Sequence, residues 1–193
     1  ADLIDAYIVG LEVQARIGRM VNPVHYERGW HATSTIAAIG TAVGCARLLR
    51  LDVEQTLAAM SNAFSMASGS KKQFGSMMKP IHAGLAAKNA VLAARMAQAG
   101  ISGDAAPLSG RWGFVDLYGG EPSESPRLPD EPSGVGEGLA IESDGLMFKR
   151  FPCCGAAHRT LDGLLIMRKQ HRFTWEEVDH VEAFIPAFAR ANL

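Results

Sequence analysis

The 193-residue chain lacks an unbroken apolar run: its longest hydrophobic stretches are interrupted by Gly, Arg or Asp. They fall short of the roughly 20 residues that a membrane-spanning helix requires. A basic, then apolar, then small-residue leader is also missing at the start, so the expected compartment is the cytoplasm. Charge of one sign is not in excess, with 19 Lys and Arg against 20 Asp and Glu, and no run of like charge stands out. Nucleic acid and anionic membrane surfaces, which recruit basic stripes, are therefore not expected partners. Cysteine is sparse. Cys45, Cys153 and Cys154 make an odd count, and adjacent cysteines have poor geometry for a mutual disulfide, which predicts reduced thiols. Cys153, Cys154 and His158 fall short of a zinc site, wanting both paired C-x-x-C spacing and a fourth ligand, so no metal is expected. Neither G-x-x-x-x-G-K-S/T nor a G-x-G-x-x-G after a strand occurs, which disfavours a P-loop or dinucleotide site.

What is present is helical periodicity with good punctuation. Leu3, Ile4, Tyr7, Ile8, Leu11 and Val13 to Ile17 recur at helical spacing from the first residues, with no initiating Met, as in an excerpt of a longer chain. A second helix is predicted over about 33–49, with Ser and Thr as caps and Gly40 and Gly44 allowing close packing. Asp52 with Gln55 reads as a capping box for a third helix to about Ser68. A fourth is predicted from Pro80, at a first helical position, to Gln98, with Gly100 as a left-handed stop. The Pro- and Gly-rich stretch 105–138 reads as an irregular connection and a candidate boundary. Beyond it, the pattern predicts a short strand over 146–150, a helix over about 156–170, a capping box at Thr174 to Glu177, and a half-buried strand over 178–185.

The chemistry-bearing residues gather in three segments. Phe74-Gly75-Ser76-Met77-Met78-Lys79-Pro80-Ile81-His82-Ala83-Gly84 places a lysine and a histidine at a helix start, where free N–H groups favour an anion. Gly29-Trp30-His31-Ala32-Thr33-Ser34-Thr35 places a histidine just before the second helix. Lys149-Arg150-Phe151-Pro152-Cys153-Cys154 carries a second lysine. Taken singly, each has an ordinary structural reading: a solvated lysine, a capping histidine, a buried thiol.

In this order and spacing the three segments closely resemble the MmgE/PrpD family, which includes 2-methylcitrate dehydratase, cis-aconitate decarboxylase and iminodisuccinate epimerase. The resemblance runs from the first helix through Val181. It implies a mainly α protein, with the central part of a helical bundle domain over 1–143 and the beginning of a smaller α/β lid over 144–193. It further implies a cofactor-independent lyase or isomerase that moves a proton beside a carboxylate of a small di- or tricarboxylic acid, working as a homodimer. Matched to the motifs, His31, Lys79 and Lys149 are catalytic, and Tyr26 falls where the epimerase branch carries an acid/base tyrosine. Lys79, His82, Lys149 and Gln73 are expected to bind substrate. Such chemistry needs cations on the carboxylates and a tuned base and acid. One departure weakens the dehydratase label: typical 2-methylcitrate dehydratases carry a K-S-W-A-A-G-D-A-like segment where this chain has Met78-Lys79-Pro80-Ile81-His82-Ala83-Gly84-Leu85. The K-P-x-H-A-G form looks more like the epimerase and decarboxylase branches. A non-catalytic fragment that binds a carboxylate or a partner chain is the alternative.

Overall fold

Small residues set how closely the helices of this chain approach one another. A computed structural model describes residues 1–119 and 138–190 and divides the chain into two compact units, Ala1–Gly145 and Leu146–Leu193. The first unit is a helical bundle: α1 (Asp2–Val21), α2 (Val24–Glu27), α3 (Ile36–Leu48), α4 (Val53–Ser65), α5 (Met78–Gln98), α6 (Phe114–Tyr118) and α7 (Ala140–Ser143). α1 packs chiefly on α3, and α3, α4 and α5 pack on one another. No helix among the described residues is long and apolar enough to cross a membrane.

The α1–α3 crossing is built on glycine. A Cβ at Gly40 would lie 2.7 Å from the Gly10 carbonyl oxygen and 2.9 Å from the Gln14 nitrogen, and one at Gly44 would lie 2.8 Å from the Ala6 oxygen. Behind the crossing, Ile17, Val21, Ile36, Ile39, Ala63, Ala90, Ala93 and Phe114 form the main core, and Ala46, Ala59, Ala94 and Ala97 form a second cluster. α5 contributes the stripe His82, Ala86, Ala90, Ala93 and Ala97, the i, i+4, i+8, i+11, i+15 spacing that keeps one helical face inward.

Local punctuation agrees with the sequence at two ends and differs at three others. Asp52 Oδ1 accepts from the Gln55 N–H at 2.8 Å while the Asp52 N–H donates to Gln55 Oε1 at 3.3 Å, the expected capping box, although α4 stops at Ser65. α5 ends at Gln98, with Gly100 at φ +87° as the stop. α3, however, begins only at Ile36, and the Thr35 side chain does not cap it. Its hydroxyl is engaged instead with His25 and the His31 carbonyl. α5 begins at Met78 rather than Pro80, because Ser76 supplies the caps: the Met78 N–H donates to Ser76 Oγ at 3.2 Å and the Lys79 N–H to the Ser76 carbonyl at 3.2 Å. Pro80 still sits in the first turn, where a missing N–H leaves no bond unmade.

Of the 105–138 connection, the described residues up to 119 include α6, whose Phe114 is fully buried, and the rest through 137 lies outside the described residues. α7 is tied to α1 by the Ala140 N–H, which donates to Glu12 Oε2 at 2.6 Å, and by the Arg19–Asp144 ion pair at 2.7 Å. The Ala140 N–H, more than any other neighbour, holds the Glu12 carboxyl below the usual carboxylate range.

The second unit holds α8 (His158–His171) and α9 (Ala187–Arg190) with single 3₁₀ turns at Gly155–Ala157 and Trp175–Glu177. The strands expected over 146–150 and 178–185 do not form; the β-pairing among the described residues is a single bridge elsewhere, between Trp30 and Ser70. Alternation supplies the two faces of a strand but not its hydrogen-bonding neighbour, and no neighbouring strand is present among the described residues. α8 buries no residue fully.

Candidate active site

The site is assembled by a pair of backbone hydrogen bonds. The His31 N–H donates to the Gly69 carbonyl at 3.0 Å, and the Lys71 N–H donates to the Gly29 carbonyl at 2.8 Å, which lays 29–31 antiparallel to 69–71. The His31 carbonyl accepts from the Ser34 and Thr35 N–H groups at 2.8 and 3.2 Å. Its backbone thus organises the turn into α3 while its ring is free to point elsewhere. That ring meets α5: His31 Nδ1 and His82 Nδ1 are 2.9 Å apart. Lys79, one turn before His82 on the same face, places its ammonium 3.9 Å from the centroid of the Phe74 ring, and the same ring meets His31 edge-on at 5.0 Å and 84°.

Gly69 makes the approach possible. Its φ of +134° lies in the region that side chains rarely adopt, and a Cβ there would come within 2.6 Å of the Ser34 Cβ and 3.4 Å of His82 Cε1. At this point the turn before α3 leaves no room for a side chain on the 69–71 segment, and α5 lies in contact on the other side.

Electrostatics keep His31 unprotonated at neutral pH. Burial, and then the neighbouring His82 and the Lys79 ammonium, push its pKa down to about 4. The ring is therefore a proton acceptor rather than a cation. His25, six residues earlier, is also pushed down to about 4, by burial alone. It is sealed at 0 % exposure, lies 6.2 Å from Tyr118 ring to ring, and has its Nε2 2.8 Å from Thr35 Oγ1. Thr35 Oγ1 donates to the His31 carbonyl at 3.3 Å, so the arrangement that satisfies both contacts has His25 donating from Nε2 and a bare Nδ1 with no partner. His25 thereby braces the turn that carries His31.

Of the residues singled out from the sequence, His31, Lys79 and His82 come together. Tyr26, on α2, lies near the other end of the bridge: Lys71 Nζ sits 3.6 Å from its ring centroid and donates to its backbone carbonyl at 3.2 Å. Burial lowers the Lys71 pKa, against the opposing pull of Glu27. Gln73 is exposed, and its carbonyl accepts from Ser76 Oγ at 2.7 Å, which links it to the start of α5. Lys149 belongs to the second unit, where its Nζ donates to the Cys153 carbonyl at 3.0 Å. The free N–H groups expected at the start of α5 are partly used, since Ser76 takes those of Met78 and Lys79. The positive charge at this helix start is the Lys79 ammonium over Phe74. The sequence reading gave Phe74 no role, and none of its neighbours in the chain signals that it bridges His31 and Lys79. Among the described residues no three His, Cys, Asp or Glu side chains are placed to hold a metal ion.

Known proteins resemble this chain over most of its length. The model of the MmgE/PrpD N-terminal domain matches residues 1–126. Human cis-aconitate decarboxylase is 28% identical over 169 residues, covering 87% of this chain and 34% of that protein. The mouse cis-aconitate decarboxylase is 28% identical over 189 residues, covering 95% of this chain and 38% of the relative. A cis-aconitate decarboxylase of Aspergillus terreus is 26% identical over 173 residues, covering 88% and 35% respectively. The chain thus spans a little over a third of the length of these relatives. The family model covers most of the bundle, including the whole His31, Lys79 and His82 cluster, and the chain belongs to the MmgE/PrpD family.

Proposed function

We propose that the protein serves a cofactor-independent lyase or isomerase reaction on a small di- or tricarboxylate, with proton transfer beside a carboxylate. The observation that carries this reading is that the Lys79 ammonium and the His31 imidazole, uncharged at neutral pH, meet the same Phe74 ring. Lys79 holds a substrate carboxylate, and His31 takes or gives the proton on the adjacent carbon. A carboxylate on Lys79 would offset the positive charge that depresses His31, raising its proton affinity when substrate is bound and bringing it nearer the range where a general base works best. Phe74 excludes water from one side of this pair, which strengthens both interactions.

The relatives named cis-aconitate decarboxylase make cis-aconitate the first substrate to try, with loss of carbon dioxide as the reaction. Tyr26 as a second acid, Gln73 and Lys149 as carboxylate contacts, an α/β lid beginning near 144, a homodimer and a cytoplasmic location complete the proposal on the resemblance alone. Proton NMR in deuterated water with cis-aconitate, 2-methylcitrate and iminodisuccinate tests it. Loss of carbon dioxide or water, or deuterium entering the carbon beside a carboxylate, is the expected result. An unchanged panel with folded protein favours carboxylate binding without catalysis.

A further inference from the structure

We propose that His31 and His82 form one acid–base unit that shares a single proton between their Nδ1 atoms, so that one ring offers a bare Nε2 while the other offers an Nε2–H. The chemical use of this unit rests on the proton-transfer reading above; its proton inventory does not.

The inventory follows from geometry. Two ring nitrogens 2.9 Å apart are at hydrogen-bond distance, and such a contact holds one proton. With none, two lone pairs face each other; with two, two N–H groups do. A neutral imidazole carries one N–H in total. The ring that donates from Nδ1 therefore has an unprotonated Nε2, and the ring that accepts has its proton on Nε2. Among the described residues neither Nε2 has a hydrogen-bond partner, and neither is among the sealed polar atoms that lack one. The two outer nitrogens are thus a base and an acid, fixed as opposites by the proton between them.

This arrangement also moves a proton without net change. When the bare Nε2 takes a proton from a substrate carbon, its ring becomes an imidazolium; its Nδ1 proton crosses to the other Nδ1, and the second ring releases its Nε2 proton to water. One proton enters, one leaves, and the rings exchange tautomers. His82 is 4 % exposed and His31 half-buried, so the ring that meets solvent or substrate more readily is His31. Among the described residues that face the pair, Lys79 from α5 carries charge, while Phe74, Ser34 and Gly69 from the other elements carry none. A positive neighbour and a shared central proton both oppose a second added proton, so the pair takes up one proton in acid rather than two.

The test needs no substrate for its first arm. Long-range proton–nitrogen spectra of the histidine-labelled full chain at neutral pH should show one ring of the pair with its proton on Nδ1 and the other with its proton on Nε2. On lowering the pH from about 8 to about 4 the two rings should gain one proton between them. For the second arm, His82→Gln keeps a hydrogen-bonding amide beside His31 but cannot pass a proton on. It should lower kcat by about 10²-fold or more while KM changes by less than about threefold, and His82→Ala should do no better. Both rings carrying their protons on Nε2, each ring titrating with its own proton, or full kcat in His82→Gln would overturn the proposal. Should the variants fail to fold, the wild-type spectrum decides alone. A shared proton together with no turnover of any di- or tricarboxylate would overturn the reaction proposed above and leave the pairing standing.

Discussion

The bundle and the Leu146–Leu193 unit both contain a well-formed helix with regularly spaced apolar residues, yet they use those residues differently. In the bundle, α3 buries eight of its thirteen residues, nearly all of them small or β-branched. In the second unit α8 buries none, and Met147, Phe148 and Phe184 are exposed by 86 %, 88 % and 93 %. Apolar periodicity specifies a helix in both places. Burial requires a second surface of matching shape, and in the bundle that surface is supplied by glycine and alanine on the facing helices.

The sharpest way to break this contrast is to truncate one large side chain in each region. Phe114→Ala should cost about 3–5 kcal/mol, because its ring is fully buried against Phe64 and Tyr118, whereas Phe148→Ala should fall within about 0.5 kcal/mol. Urea denaturation of each variant reads this directly, and equal losses would mean that the second unit carries a core of its own.

Acid comes next. A buried histidine whose folded pKa is depressed makes the unfolded state bind more protons between its ordinary pKa of about 6.5 and the folded value of about 4, so stability is full above that window and falls as the pH drops through it. For His25 the loss across the window is on the order of 3 kcal/mol. Denaturation midpoints followed from pH 7 to pH 4 should fall, and His25→Asn should start less stable but show a shallower decline.

Gly40→Ala probes the crossing itself. Backbone atoms of α1 stand where the new methyl would go, and about 1–3 kcal/mol of overpacking is expected. Gly84→Ala, where nothing lies within 4 Å, should instead be neutral or slightly stabilising. Least affected in stability is Lys79→Ala, which should shift the urea midpoint by less than about 1 kcal/mol because its contact is one face of Phe74. Turnover in the same variant should fall by about 10²–10³-fold. Retained activity would remove Lys79 from the proposed mechanism.

The helices of the bundle were legible because their signals are local. The Asp52–Gln55 box and Gly100 each mark an end with residues adjacent in the chain. The displaced starts of α3 and α5 show the limit of such signals. Thr35 is drawn off by its tertiary neighbour His25, and Ser76, four residues before Pro80, takes the Met78 N–H so that α5 starts two residues early. The site was half legible: the motifs marked His31 and Lys79, but the contact between His31 and His82 joins positions 51 apart and depends on the pairing of Trp30 with Ser70. The failed strands teach the same thing in reverse, since a two-residue period is only one side of a ladder.

Gly69 has a consequence for how this sequence can drift. Every single-base change from a glycine codon that does not preserve glycine or stop the chain introduces a Cβ, and here each new side chain meets both the unfavourable φ of +134° and the Ser34 side chain at 2.6 Å. Beyond its synonymous codons the position has no neutral neighbours in the genetic code. In a saturation library scored by turnover, a residue with no functional group should behave as intolerantly as the imidazoles it keeps together.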